Sequence, residues 1–204
     1  MTRLLVVRLS ALGDVIHTIP AVIALRERYD EVAWAVEQPY RELVETVARV
    51  RAIPVSLKKW SFANGNRARK DVRGFDTAID FQGLIKSSLL ARVSGAKERI
   101  GFAREYIKEK PAAWFLTKQV AIDPSKHVVD WNLQLAGATM PEVDFTPFAI
   151  SLTGGELDSH GSVVLLPGAG RPEKIWPVER FRALAQRLGD RALAVWGPGE
   201  EERA

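Results

Sequence analysis

Apolar and polar positions alternate along this chain in two distinct rhythms. Short continuous apolar runs, 3–9, 32–36 (VAWAV), 51–55, 76–81 (DTAIDF), 97–101 and 118–122, read as buried strands. Between them lie stretches with apolar residues every third or fourth position, at 14–29, 39–48, 83–94 and 126–137, which read as helices. Strand and helix take turns, and that order predicts an α/β fold with a mainly parallel sheet wound on both faces. Around 138–162 the pattern breaks into turn-forming clusters (ATMPEVDFTPFAISLTGGELDSHG), a linker between two domains, 1–150 and 151–204. The rhythm then restarts with SVVLLP as a strand, GAGRPEKIW as a loop, PVERFRALAQRLGD as a helix and RALAVWG as a strand. Two strands and one helix do not close a core of their own, so the second domain is expected to be the incomplete start of a larger unit.

Composition changes this picture little. Hydrophobic residues make up 47% of the 204 and charged residues 26%, as in an ordinary globular protein. There is no cysteine, which excludes disulfides, thiolate zinc sites and thiol catalysis, and the three histidines (His17, His127, His160) show no metal-binding spacing. No metal site is therefore expected. No stretch approaches the ~20 apolar residues of a membrane span, and the N-terminal run carries Arg3 and Arg8 and lacks a cleavage site, so a cytoplasmic protein is expected. The net charge of +4 points to an anionic partner. Its basic residues group in KKWSFANGNRARK (58–70) and again through Lys97, Arg99, Arg104, Lys108 and Lys110. Solvated surface explains such clusters as well, and no nucleic-acid-binding signature accompanies Trp60 and Phe62.

Three segments carry candidate chemistry. The first, RLSALGDVIHT (8–18), places Gly13 and Asp14 where a strand gives way to a helix. Asp14 is either a carboxylate favoured by the helix dipole or a catalytic group at the carboxyl end of a strand, where ligands collect in open α/β sheets. From this segment alone the cap is the simpler reading. The second, DFQGLIKSS (80–88), repeats the layout, with Asp80 and Gln82 at a strand end, Gly83 at the turn and Lys86 in the opening of a helix. If both strands are central, Asp14, Gln82 and Lys86 line one crevice. The third, PGAGRPEKIWP (167–177), puts two glycines after a strand and adds Arg171 and Lys174, a loop suited to phosphate. It matches neither the dinucleotide fingerprint nor a P-loop, and no DxD pair occurs in the chain.

With HVVDWNLQLAG (127–137) and WGPGEEERA (196–204), these segments resemble, in order and along the whole chain, the glycosyltransferase family 9 heptosyltransferases. DFQGLIKS favours the type I over the type II members. The resemblance implies a GT-B fold of two Rossmann-like domains, the first binding acceptor and the second binding an ADP-heptose donor. It implies inverting transfer of heptose to Kdo of Kdo-lipid A in lipopolysaccharide core synthesis, with no cofactor, at the cytoplasmic face of the inner membrane. Asp14 would then be the general base. Lys58, Lys59, Gln82, Lys86 and Arg104 would meet the acceptor, and Gly13, Gly168, Ala169, Gly170, Lys174 and Glu200 the donor and its phosphates. Family members often carry Thr-Thr where this chain has Ala169-Gly170, and two further basic residues where it has Ser61 and Phe62. A II- or III-like acceptor and a non-enzymatic anion-binding module are the rival readings.

Overall fold

The computed structural model describes residues 1–55, 71–146, 161–169 and 172–197. The chain divides into two compact units, Met1–Ile150 and Ser151–Ala204.

The first unit is built on a six-stranded sheet in which every neighbouring pair is parallel. Its strands are β1 (Arg3–Val7), β2 (Glu31–Val36), β3 (Arg51–Pro54), β4 (Thr77–Asp80), β5 (Glu98–Phe102) and β6 (Lys118–Val120). Their spatial order is β3-β2-β1-β4-β5-β6. The chain thus winds outward from β1 in one direction and from β4 in the other. This is the Rossmann order, and the reversal lies between β1 and β4.

Helix α1 (Leu12–Arg26) joins β1 to β2, α2 (Arg41–Leu43) lies between β2 and β3, α3 (Ile85–Val93) joins β4 to β5, and α4 (Val128–Ala136) follows β6. The two faces of the sheet have separate cores. Leu4, Val6, Trp34, Ile79 and Phe81 pack with Val15, Ile19 and Val22 of α1 and Leu133 of α4. Leu5, Val7, Ala33, Ala35 and Ala78 pack with Leu90 and Ala91 of α3 on the other face. Alternate residues of β1 therefore feed opposite cores, and Leu4 through Val7 are fully buried. Each such side chain contributes about 1.5–3 kcal/mol by leaving water. This explains why the central strands read as unbroken apolar runs.

The predicted elements are recovered with two corrections. Helix α1 begins at Leu12 rather than at Asp14, so Asp14 sits inside the first turn. The helix expected over 39–48 is instead a 3-10 turn (Gln38–Tyr40), the short α2 and a π turn (Val44–Ala48). Pro39 stands in the first turn, where a helix tolerates it, and Arg49 in a left-handed conformation ends the segment. A 3-10 helix at Lys110–Phe115, which packs against α3, had no periodic signal.

The second unit pairs β7 (Val163–Leu165) with β8 (Ala192–Ala194) in parallel, connected through α5 (Val178–Leu188). No residue of α5 is buried, although its apolar and polar residues segregate strongly along the helix. Trp176 and Phe181 meet edge to face at 4.9 Å. No helix among the described residues is long and apolar enough to cross a membrane.

Candidate functional site at the sheet reversal

In the first unit the site is assembled where β1 and β4 end side by side, with Val7 opposite Asp80. Ligands in open parallel sheets bind outside the carboxyl ends of strands at such a reversal. The segment after β1 is tied down on both sides. Arg8 N donates to Ala35 O (3.3 Å), Trp34 Nε1 to Arg8 O (3.0 Å) and Glu37 N to Leu9 O (3.0 Å). From the β4 side, Leu9 N donates to Gln82 Oε1 (2.9 Å) and the Arg8 guanidinium donates to Phe81 O (2.5 Å). The peptide between Ser10 and Ala11 is cis.

Asp14 stands at the third position of α1. Its Oδ2 lies 2.5 Å from Arg8 Nη2 and 3.4 Å from Ala11 N. The side chain is 46% exposed. The carboxylate is therefore a helix-start carboxylate and an exposed acid at the rim at once; the two readings of Asp14 do not exclude each other. Gly13 beside it is exposed, and a Cβ built there would meet nothing within 4 Å. The first turn of α1 leaves amides without intrahelical acceptors at this rim.

The second motif works from beneath. Asp80 is buried and accepts from Gln82 N (2.9 Å), Gly83 N (3.2 Å) and Ser87 Oγ (2.9 Å), and also from Ser88 Oγ. Burial pushes its carboxyl above the ordinary value, against the opposing pull of these four donors. Gly83 has φ +66°, and a Cβ there would lie 2.6 Å from Ile107 Cγ2, so the turn requires glycine twice over. The start of α3 is closed by Glu109, whose carboxylate accepts from Ile85 N at 2.7 Å. Lys86 is exposed on the first turn of α3. Arg104 is exposed in the 3-10 turn after β5, and Lys110 Nζ donates to its carbonyl at 2.9 Å.

The structure thus joins Asp14 to Gln82 through Leu9 and Arg8, and sets Lys86 and Arg104 at the same end of the sheet. Lys58 and Lys59 lie outside the described residues. The sequence placed Asp80 at the strand end without giving it a role in the site, and passed over Arg8 and Glu109. The double appearance of Asp and Gly at strand ends was a usable signal for Asp80. Nothing local marks Arg8 or Glu109.

In the second unit, Gly168 and Ala169 follow β7 half-buried, and Lys174 is exposed in a 3-10 turn (Pro172–Lys174). Beside them Pro167, Ile175, Trp176, Pro177, Val178 and Phe181 line an apolar hollow of ≈ 230 Å³. Gly170 and Glu200 are outside the described residues. Among those that are described, no three His, Asp or Glu side chains gather as a metal site.

Residues 67–204 match the profile of glycosyltransferase family 9 (heptosyltransferase). The chain belongs to that family. It is similar to lipopolysaccharide heptosyltransferase 1 of Escherichia coli K12, at 29% identity over 99% of this chain and 70% of the relative. It is also similar to the enzyme of that name from Pseudomonas aeruginosa PAO1, at 32% identity over 99% of this chain and 63% of the relative. Among solved structures, E. coli heptosyltransferase WaaC with ADP-2-deoxy-2-fluoro heptose superposes with a TM-score of 0.75 at 29% identity, covering 100% of this chain and 72% of that one. E. coli ADP-heptose lps heptosyltransferase II shares the fold, with a TM-score of 0.63 at 19% identity, over 100% of this chain and 66% of that one. The GT-B class expected from the motifs agrees with these matches.

Proposed function

We propose that this family 9 protein is a type I heptosyltransferase, moving L-glycero-D-manno-heptose from ADP-heptose to Kdo of Kdo-lipid A with inversion. The observation that carries the reading is the similarity to type 1 enzymes over 99% of the chain. The exposed Asp14 at the sheet reversal gives that similarity a mechanism.

A sugar hydroxyl is a weak nucleophile at neutral pH. A carboxylate within hydrogen-bond reach can take its proton as the oxygen forms its bond to the anomeric carbon. On the opposite face the bond from that carbon to the phosphate oxygen breaks, and ADP leaves with the electron pair. Asp14 is the general base in this scheme. Lys174, the backbone of Gly168, Ala169 and Gly170, and Gly13 and Glu200 serve the donor, with cation and amides stabilising the departing pyrophosphate. Lys58, Lys59, Lys86 and Arg104 meet the anionic acceptor, together with the Gln82 amide nitrogen, since Gln82 Oε1 already accepts from Leu9. ADP-heptose is a substrate, and the scheme calls for no cofactor, metal or nucleic acid.

The acceptor is a lipid, so the reading includes peripheral contact with the cytoplasmic face of the inner membrane. Trp114, 75% exposed, and the exposed Ile85, Lys86 and Lys108 support that contact, since aromatic and basic residues together suit an anionic lipid surface.

Incubating the full-length protein with ADP-heptose and either Kdo-lipid A or its heptosylated product tests the assignment. Heptose transfer to Kdo-lipid A alone is expected. Transfer only to the heptosylated product would make it a type II enzyme, and no ADP release with either acceptor would overturn the reading.

A further inference from the structure

Arg8 is the least expected residue of the site. It follows β1 directly, and its side chain is only 14% exposed. A guanidinium is costly to bury, and this one is incompletely satisfied, because Nε is enclosed without a hydrogen-bond partner. The two terminal nitrogens account for its position. Nη1 donates to Phe81 O at 2.5 Å, and Nη2 meets Asp14 Oδ2 at 2.5 Å. One planar group thus links the end of β4 to the first turn of α1 across the sheet reversal.

We infer that Arg8 is a positioning residue: it holds Asp14 by Oδ2 and leaves Oδ1 as the edge that receives the acceptor proton. This rests on the reading of Asp14 as general base. Both contacts of the Asp14 carboxylate, from Arg8 Nη2 and from Ala11 N, fall on Oδ2. Oδ1 has no partner among the described residues. A carboxylate on a single bond to Cβ otherwise rotates, and a rigid two-point guanidinium anchored on a backbone carbonyl removes that freedom. The anchor is Phe81 O, one residue before Gln82, whose side chain grips Leu9. Arg8 and Gln82 therefore fix the same loop from the same strand end.

The test uses full-length protein carrying Arg8→Met, Arg8→Lys, Asp14→Asn and the Arg8→Met/Asp14→Asn pair. Arg8→Met is expected to lower kcat by about 10–100-fold with both KM values nearly unchanged, because orientation is lost while binding is kept. Arg8→Lys should recover part of kcat. In the Asp14→Asn background, Arg8→Met should cost nothing more, since the two residues act as a unit. Losses that simply multiply would overturn the inference, as would a fall in kcat that only follows a fall in Tm. Urea unfolding of the same four proteins reads the Arg8–Asp14 coupling without any turnover, and zero coupling there also overturns it. A wild-type protein that shows this coupling but no heptosyl transfer would instead overturn the proposed function. Should Arg8→Met not fold, Arg8→Gln in the same cycle takes its place.

Discussion

Gln82 Oε1 accepts a hydrogen bond from Leu9 N at 2.9 Å, joining two residues 73 positions apart. Leu9 is 2% exposed with the half-buried Gln82 side chain in place. Gln82→Ala should therefore leave a buried amide unpaired and cost about 1–3 kcal/mol. Gln82→Glu keeps an oxygen in place and should cost less. Urea unfolding of both variants checks this, and equal stability would mean that Leu9 N finds another acceptor.

Asp14→Asn should abolish most turnover while leaving the fold intact. The amide matches the carboxylate in shape but takes no proton, and loss of a general base commonly costs about 10²–10⁴-fold in rate. The measurement is kcat beside a melting curve. Near-normal kcat would reduce Asp14 to a helix-start carboxylate.

Asp80 links site and stability through pH. Its carboxyl is pushed up by burial, so the folded protein holds the proton more tightly than the unfolded chain. The resulting stability is present in full below the unfolded carboxylate value and is lost as pH rises through the folded one. Asp80→Asn has no proton to lose. The advantage of wild type over Asp80→Asn should thus shrink as pH rises past the ordinary carboxylate value, read from unfolding at each pH. A pH-independent difference would show that Asp80 titrates alike in both states. Asp80→Ala strands the Gln82 and Gly83 amides and the Ser88 hydroxyl and should cost about 2–4 kcal/mol at low pH, where wild type keeps its full advantage.

On the donor side, Lys174→Ala should raise the KM for ADP-heptose and slow transfer, because a cation near the leaving pyrophosphate is removed. Steady-state kinetics with the donor varied reads both. Unchanged constants would assign this exposed lysine to the solvent.

Lys58→Ala/Lys59→Ala should raise the acceptor KM and leave the donor KM alone. Contacts between lysines and the phosphates of the acceptor are screened over a Debye length of about 8 Å at physiological salt, so the effect should shrink as salt is added. A rise in donor KM instead would assign these lysines to the other substrate.

The sequence by itself determined the elements and the ends of the strands at which chemistry gathers. Apolar runs of strand length mark β1, β2 and β4 because both faces of those strands are buried, and that requirement is local to each strand. Gly83 announces its turn because the positive φ excludes other residues there, again a local constraint. The helix expected over 39–48 is helical along its length but passes through 3-10, α and π turns, a distinction that apolar spacing does not carry. Only the tertiary structure decided which strand ends become neighbours. Placing β4 beside β1 brings Phe81 O to Arg8 and Gln82 to Leu9. Glu109, from beyond β5, likewise reaches Ile85 at the start of α3. Such contacts arise from sheet order and register, and no spacing within either segment encodes them. Hence Asp14 was legible as a candidate from its own motif, while the anchoring of Arg8 on Phe81 O became visible only once the two strands stood side by side.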